Sequence, residues 1–139
     1  FATLASLGLW TAPPAALALL DEAEHLEAST DEALVHGDLH VRHVLVGPDG
    51  RPSAVIDWGD LAVADPSVDL SLYWSLLDSD GRSAFTDSYG AISEVRLLRA
   101  RVLALFLNTV LALYAAETGN AALRAEAIAG LNRTVRDSP

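Results

Sequence analysis

The stretch from His36 to Asp69 reads HGDLHVRHVLVGPDGRPSAVIDWGDLAVADPSVD, and the fold follows from it. Two apolar runs, Ala33 to Val35 and Ala54 to Ile56, end directly in acidic residues. The first enters His36-Gly37-Asp38 and the second Asp57-Trp58-Gly59-Asp60, so a carboxylate stands at each strand end, where scaffold gives way to loop. Between them, Val44 to Val46 is a further short strand, and Gly47-Pro48-Asp49-Gly50 supplies the fixed φ and the positive φ of a reversal. This pattern predicts a hairpin that brings Asp38 and Asp57 to the same end of one small sheet.

On either side of that stretch the sequence is helical. Phe1 to Leu9 makes one or two turns, and Thr11-Ala12-Pro13-Pro14 breaks the chain before a helix from Pro14 to about Ala28, with one apolar and one acidic face. Ser29 to Glu32 is a polar loop. After Asp69, the residues Leu70, Leu72, Tyr73, Trp74, Leu76 and Leu77 describe a helix buried on most sides, which Asp78 to Gly81 is expected to end. A short helix with Phe85 and Tyr89 then stops at Gly90. The longest element runs from Glu94 to Glu117, Thr118-Gly119-Asn120 closes it, and an amphipathic helix from about Ala121 to Val135 follows. Trp58 and Trp74 are expected in the core or at an interface.

The apolar run Val102 to Ala116 tests a membrane reading. It is short of the roughly 18 to 20 residues a bilayer needs, has Asn108 in its middle and follows Arg99 and Arg101. A buried core helix is the expectation, with no membrane partner; surface left bare on it favours self-association.

Composition narrows the function classes. In 139 residues, 51% hydrophobic and 20% charged, the chain is a folded globular domain. It has no Cys, so neither a disulfide framework nor a thiolate metal site is available. A net charge of −10 argues against a nucleic-acid partner, because phosphate backbones are met by basic faces. The same acidity suits a cationic substrate, or solubility alone. No basic leader opens the chain, and a cytoplasmic site is expected.

The order of Asp38, Leu39, His43, Asp57 and Gly59 falls on the catalytic half of the protein-kinase signature set. More closely, HGDLH followed by IDWGD and DPSVDL resembles the aminoglycoside phosphotransferase and choline-kinase-like family, the small-molecule branch of that fold. The resemblance implies an α+β fold, the mainly helical C-terminal lobe of a protein-kinase-like enzyme with a small β-hairpin carrying the catalytic and metal loops. It implies transfer of the γ-phosphate of ATP, with Mg2+, to the hydroxyl of a small molecule, aminoglycoside-like or an amino alcohol. Asp38 would then be the catalytic base and Asp57 a metal ligand. His36 and Asp69 would support the loop, and His40 would meet substrate or phosphate.

Two positions depart from that family pattern. His43 stands where the family has an Asn that ligates a second metal, and imidazole is a softer donor than Mg2+ prefers. Gly37 stands where protein kinases carry the Arg that receives a phosphorylated activation loop, so switching of that kind has no receiver. All nine basic residues are Arg, and no Gly-rich phosphate loop is present. The Lys that holds ATP phosphates in such enzymes is therefore expected on a missing N-terminal lobe, and the isolated chain, as one domain over residues 1–139, is expected to be inactive. Two other readings stand beside this one. His36, His40 and His43 can be read as zinc ligands, and the lobe can be read as a non-catalytic scaffold.

Overall fold

The computed structural model describes residues 1–136, and it is mainly helical with two small antiparallel sheets. α1 (Ala2–Ser6) and α2 (Pro14–Glu24) precede β1 (Ala33–Val35). β2 (Val44–Val46) and β3 (Pro52–Val55) form the hairpin, and β4 (Ala62–Ala64) follows. α3 (Ser67–Ser75), α4 (Ser79–Tyr89), α5 (Glu94–Glu117) and α6 (Ala121–Arg136) complete the chain. The α+β class and the four C-terminal helices agree with the sequence reading.

The single small sheet does not form. β2 pairs with β3 through the Gly47–Gly50 reversal, whereas β1 pairs with β4, Leu34 opposite Val63. β4 was absent from the sequence reading because Ala62-Val63-Ala64 is a short run rich in a poor strand former, and it becomes a strand by meeting the edge of β1. Ile56, expected in a strand, lies just beyond β3 and donates its N–H to the His43 carbonyl at 3.0 Å. That contact ties the end of the hairpin to the loop that follows β1.

Two helix limits also differ from expectation. α2 stops at Glu24, four residues before Ala28. Asp78 starts a helix rather than ending one: its side chain accepts the Gly81 N–H at 2.9 Å, an N-cap that opens α4 and carries Gly81 into the helix.

The core lies between α1, α2, α5 and α6, where Leu4, Ala16, Leu105, Ala112 and Leu131 are fully or almost fully buried. α3 packs across α5 and α6 on the other side. Gly130 lets α6 approach α5 closely, since a Cβ there would lie 2.4 Å from Asn108 Oδ1. α5 is long and apolar enough to cross a membrane by length and composition, a longer span than the sequence reading allowed. Here it is the central helix of the bundle, with Arg101 and Asn108 buried; Arg101 Nε donates to the Thr134 carbonyl at 2.7 Å. Trp74 is half-buried between the Arg82 and Arg101 guanidinium groups, 5.1 and 4.4 Å from its ring. Trp58 is exposed, which excludes the core half of the expectation that placed it in the core or at an interface.

Candidate active site

The loop after β1 is held by its backbone. Asp69, in the first turn of α3, accepts the N–H of His36 at 2.7 Å on one carboxylate oxygen and that of Gly37 at 3.2 Å on the other. Gly37 has φ +88°, and a Cβ on it would stand 2.2 Å from the Asp60 carbonyl oxygen. Only glycine fits there, because the conformation is left-handed and the 58–60 turn lies against it. The missing kinase Arg at this position thus coincides with a backbone approach that excludes any side chain.

Three histidines line this loop, and their backbone partners fix which nitrogen carries a proton. His36 Nδ1 accepts the Asp38 N–H at 3.3 Å, so its Nε2–H donates to the Ile56 carbonyl at 2.9 Å. His40 Nδ1 accepts the Arg42 N–H at 3.3 Å and caps the 3-10 turn Val41–His43, which leaves Nε2–H facing Asp38 Oδ2 at 3.6 Å. His43 is reversed. Its Nδ1–H donates to the Asp38 carbonyl at 2.8 Å, and its Nε2 lies 3.3 Å from Asp57 Oδ2. The His40 and His43 rings stack at 4.0 Å. Burial, with His43 and Arg42 nearby, lowers the pKa of His40 against the opposing pull of Asp38, so this imidazole is held neutral.

The sequence-predicted residues therefore form two groups. Asp38, His40, His43 and Asp57 converge, with His43 between the two carboxylates, although Asp38 and Asp57 follow strands of different sheets. His36 and Asp69 hold the loop through bonds to its backbone. The imidazoles are buried while the Asp38 and Asp57 side chains are 41% and 67% exposed, so the acidic groups face solvent from a fixed base. Asp57 has φ +66°, and it is the one non-glycine residue in the left-handed region among the described residues. Strain of this kind persists where surrounding structure holds it, commonly at functional sites.

The site can accept a proton at Asp38 and a hard cation at Asp57. Both carboxylates supply the anionic oxygen that Mg2+ takes, so Asp57 fits that ion; His43 presents nitrogen where a second oxygen would be expected. The zinc reading by three histidines does not match the geometry, because both nitrogens of His36 are committed to backbone groups. The donor atoms that do lie within 4.8 Å of one another belong to Asp38, His40 and His43.

Residues 4–105 match the profile of the family described as "Phosphotransferase enzyme family". The chain belongs to this phosphotransferase family. It is 35% identical over 57 residues to the uncharacterized protein YcbJ of Bacillus subtilis (strain 168), a match covering 41% of this chain and 19% of that protein. Among solved structures it is similar to the apoenzyme of macrolide 2'-phosphotransferase MphH from Brachybacterium faecium, with 29% identity and a TM-score of 0.51. That match covers 98% of this chain and 48% of the other, so the chain spans about half the length of this relative. Macrolide 2'-phosphotransferase type I matches at 24% identity and a TM-score of 0.44, over 88% of this chain and 42% of that one.

Within this phosphotransferase fold, two residues to which the sequence reading gave no site role shape the site. Asp60 gives the carbonyl that closes on Gly37, and Trp58 sets its ring 4.8 Å from that of His36 while its Nε1–H donates to the Val55 carbonyl at 3.0 Å. Asp65 is a third support: it accepts the Ser67 N–H at 2.7 Å and the Arg99 guanidinium at 3.1 Å, joining the start of α3 to α5. The Asp-Pro-Ser order around it was a sequence signal for this turn.

Proposed function

We propose that this chain is the catalytic lobe of an ATP-dependent phosphotransferase that acts on the hydroxyl of a small molecule. The observation that carries the reading is the placement of His43 between Asp38 and Asp57, which holds a proton acceptor and a cation ligand side by side. Phosphoryl transfer asks a protein mainly to position reactants and neutralise charge. Asp38 orients the acceptor hydroxyl and takes its proton as the oxygen bonds to the γ-phosphorus and the bond to the β-phosphate oxygen breaks, releasing ADP. The neutral His40 Nε2–H, 3.6 Å away, steadies that carboxylate. Asp57 would hold Mg2+, which when bound offsets the negative charge of the phosphates.

The chain contains no Lys, so the cation that grips ATP belongs to a preceding nucleotide-binding lobe, and the chain in isolation transfers nothing. A net charge of −10 supports a cationic acceptor such as an aminoglycoside or amino alcohol. The similarity to a solved macrolide 2'-phosphotransferase supports including macrolides. ATP use makes the cytoplasm the working compartment. The test is a γ-phosphate transfer assay on the full-length protein with aminoglycosides, amino alcohols and macrolides. Phosphorylated product that vanishes in Asp38→Ala supports the reading; no product with any acceptor, or product undiminished in Asp38→Ala, overturns it.

A further inference from the structure

We infer that Arg42, backed by Tyr114, anchors a carboxylate on the acceptor, so that the molecule phosphorylated is a hydroxyl compound that also bears an acidic group. This rests on the proposed role of Asp38 as the base that takes the acceptor's proton. Arg42 lies in the 3-10 turn Val41–His43 of the loop that carries Asp38. Its backbone N–H donates to His40 Nδ1 at 3.3 Å and Val41 packs against the core, so the turn that presents its side chain is fixed. The side chain itself is exposed, and its guanidinium lies over the Tyr114 ring of α5, 5.5 Å from the centroid. Among the described residues it makes neither an ion pair nor a side-chain hydrogen bond, although the chain holds 19 acidic residues against nine Arg. A guanidinium held by its charge on an aromatic ring keeps its fork of N–H groups for a planar oxyanion.

Arg42 stands at the acceptor end of the site. Phosphoryl transfer is roughly in line, so the acceptor approaches from the side opposite the leaving ADP. The phosphates belong with Asp57, and His43 lies between that residue and Asp38. His40 stacks on His43 at 4.0 Å and feels the charge of Arg42, whose guanidinium turns to α5. Contacts thus run from Asp57 through His43 and His40 to Arg42 and Tyr114, with the guanidinium at the end remote from Asp57. The net charge of −10 acts on approach, whereas selection follows the charges that meet in contact. An acceptor that is cationic elsewhere can still present a carboxylate here, and its two oxygens match the guanidinium fork.

The test is titration of the full-length protein, isotope-labelled in its arginine side chains, without nucleotide and with two matched pairs: ethanolamine and serine, glucose and glucuronate. The members of each pair share a hydroxyl-bearing body and differ in a carboxylate. The acid of a pair should move the Arg42 side-chain N–H signals and bind about 10- to 100-fold more tightly than its partner, the range of a hydrogen bond to a charged group. Arg42→Ala should erase that preference, Arg42→Lys should restore part of it, and Tyr114→Leu should weaken the acid alone. Exposed Arg51, in the hairpin turn, is the control, and Arg51→Ala should change nothing. Equal affinity within both pairs, Arg42 signals that neither acid moves, or a preference that survives Arg42→Ala overturns the inference. So does an Arg42→Ala enzyme whose KM rises for ATP and not for the acceptor, because the guanidinium then serves the phosphates. The signals are read on wild type, so a misfolded variant leaves the question decided. If transfer fails with every acceptor while an acid still moves the Arg42 signals, the proposed reaction falls and the anion site stays.

Discussion

Asp69 and His36 are 33 residues apart in sequence, and the carboxylate of one accepts the backbone N–H of the other at 2.7 Å. The second oxygen takes Gly37, so one side chain on α3 fixes the direction in which the chain leaves β1. Since α3 packs on α5 and α6, the loop bearing Asp38 is referred to the helical core rather than to its own small sheet. Hydrogen bonds to a charged group contribute about 1.5–3 kcal/mol each. Asp69→Ala should therefore lower stability by roughly 3–6 kcal/mol in urea unfolding, with a smaller loss for Asp69→Asn, which keeps one acceptor oxygen. A loss below about 0.5 kcal/mol in the Ala variant would mean that the loop holds itself.

Asp38 is expected to behave in the opposite way. Its side chain is 41% exposed, and the contacts that shape the loop use its backbone, so Asp38→Ala should change stability by less than about 0.5 kcal/mol. Turnover of the full-length protein should fall by about 10²- to 10⁴-fold, the range of a positioned general base, with ATP still bound. Nucleotide affinity and unfolding midpoint measured on the same preparation separate this from a folding defect.

What sequence could and could not foretell divides by range. α5 and α6 were legible to within a residue, because Ser93 caps one start and Gly119 with φ +69° closes the turn between them. The hairpin was equally local. β4 was not legible, since Ala62–Ala64 has weak strand preference and is extended only through pairing with β1, nearly thirty residues earlier. Asp78-Ser79-Asp80-Gly81 has turn composition, and only the Asp78 cap settles it as a helix start. For the site, residue types and order pointed to Asp38 and Asp57, yet the shared contact with His43 depends on where two separate sheets end. The tautomers depend on backbone partners that no motif records.

Gly37→Ala should be more damaging than its small size implies. The new Cβ would meet the Asp60 carbonyl oxygen at 2.2 Å and hold an unfavourable positive φ. Overpacking and backbone strain each cost about 1–3 kcal/mol, so a loss of roughly 2–5 kcal/mol is expected, with Trp58 fluorescence altered as the 58–60 turn moves. A variant with wild-type midpoint and spectrum would show that the two segments separate freely.

Acid should weaken the junction of α3 with α5. Burial pushes the Asp65 carboxyl up, but hydrogen bonds from Ser29 and Ser67 and the charge of Arg99 outweigh it, and the group lies below its ordinary value. A carboxyl lowered in the folded state contributes stability above its unfolded pKa and loses it as pH falls through the folded one. Stability should thus decline below the ordinary carboxylate range, and Asp65→Asn should make that decline shallower. An unchanged slope of unfolding free energy against pH would assign the acid sensitivity to other carboxylates.

Asp57 separates backbone strain from charge. At φ +66° a residue is left-handed, a conformation that Asn tolerates about as well as Asp and that costs other side chains about 1–2 kcal/mol. Asp57→Asn should keep the turn and change stability by less than about 0.5 kcal/mol, while removing the charge on which the cation depends. Asp57→Ala should lose both, with a stability deficit of about 1 kcal/mol against the Asn variant. Magnesium-dependent nucleotide affinity of the full-length protein is the discriminating quantity. If both variants weaken it alike while only Ala lowers the unfolding midpoint, the carboxylate serves the cation and the backbone serves the fold. If Asn retains wild-type affinity, the cation is held elsewhere, and the left-handed turn at Asp57 is a feature of folding alone.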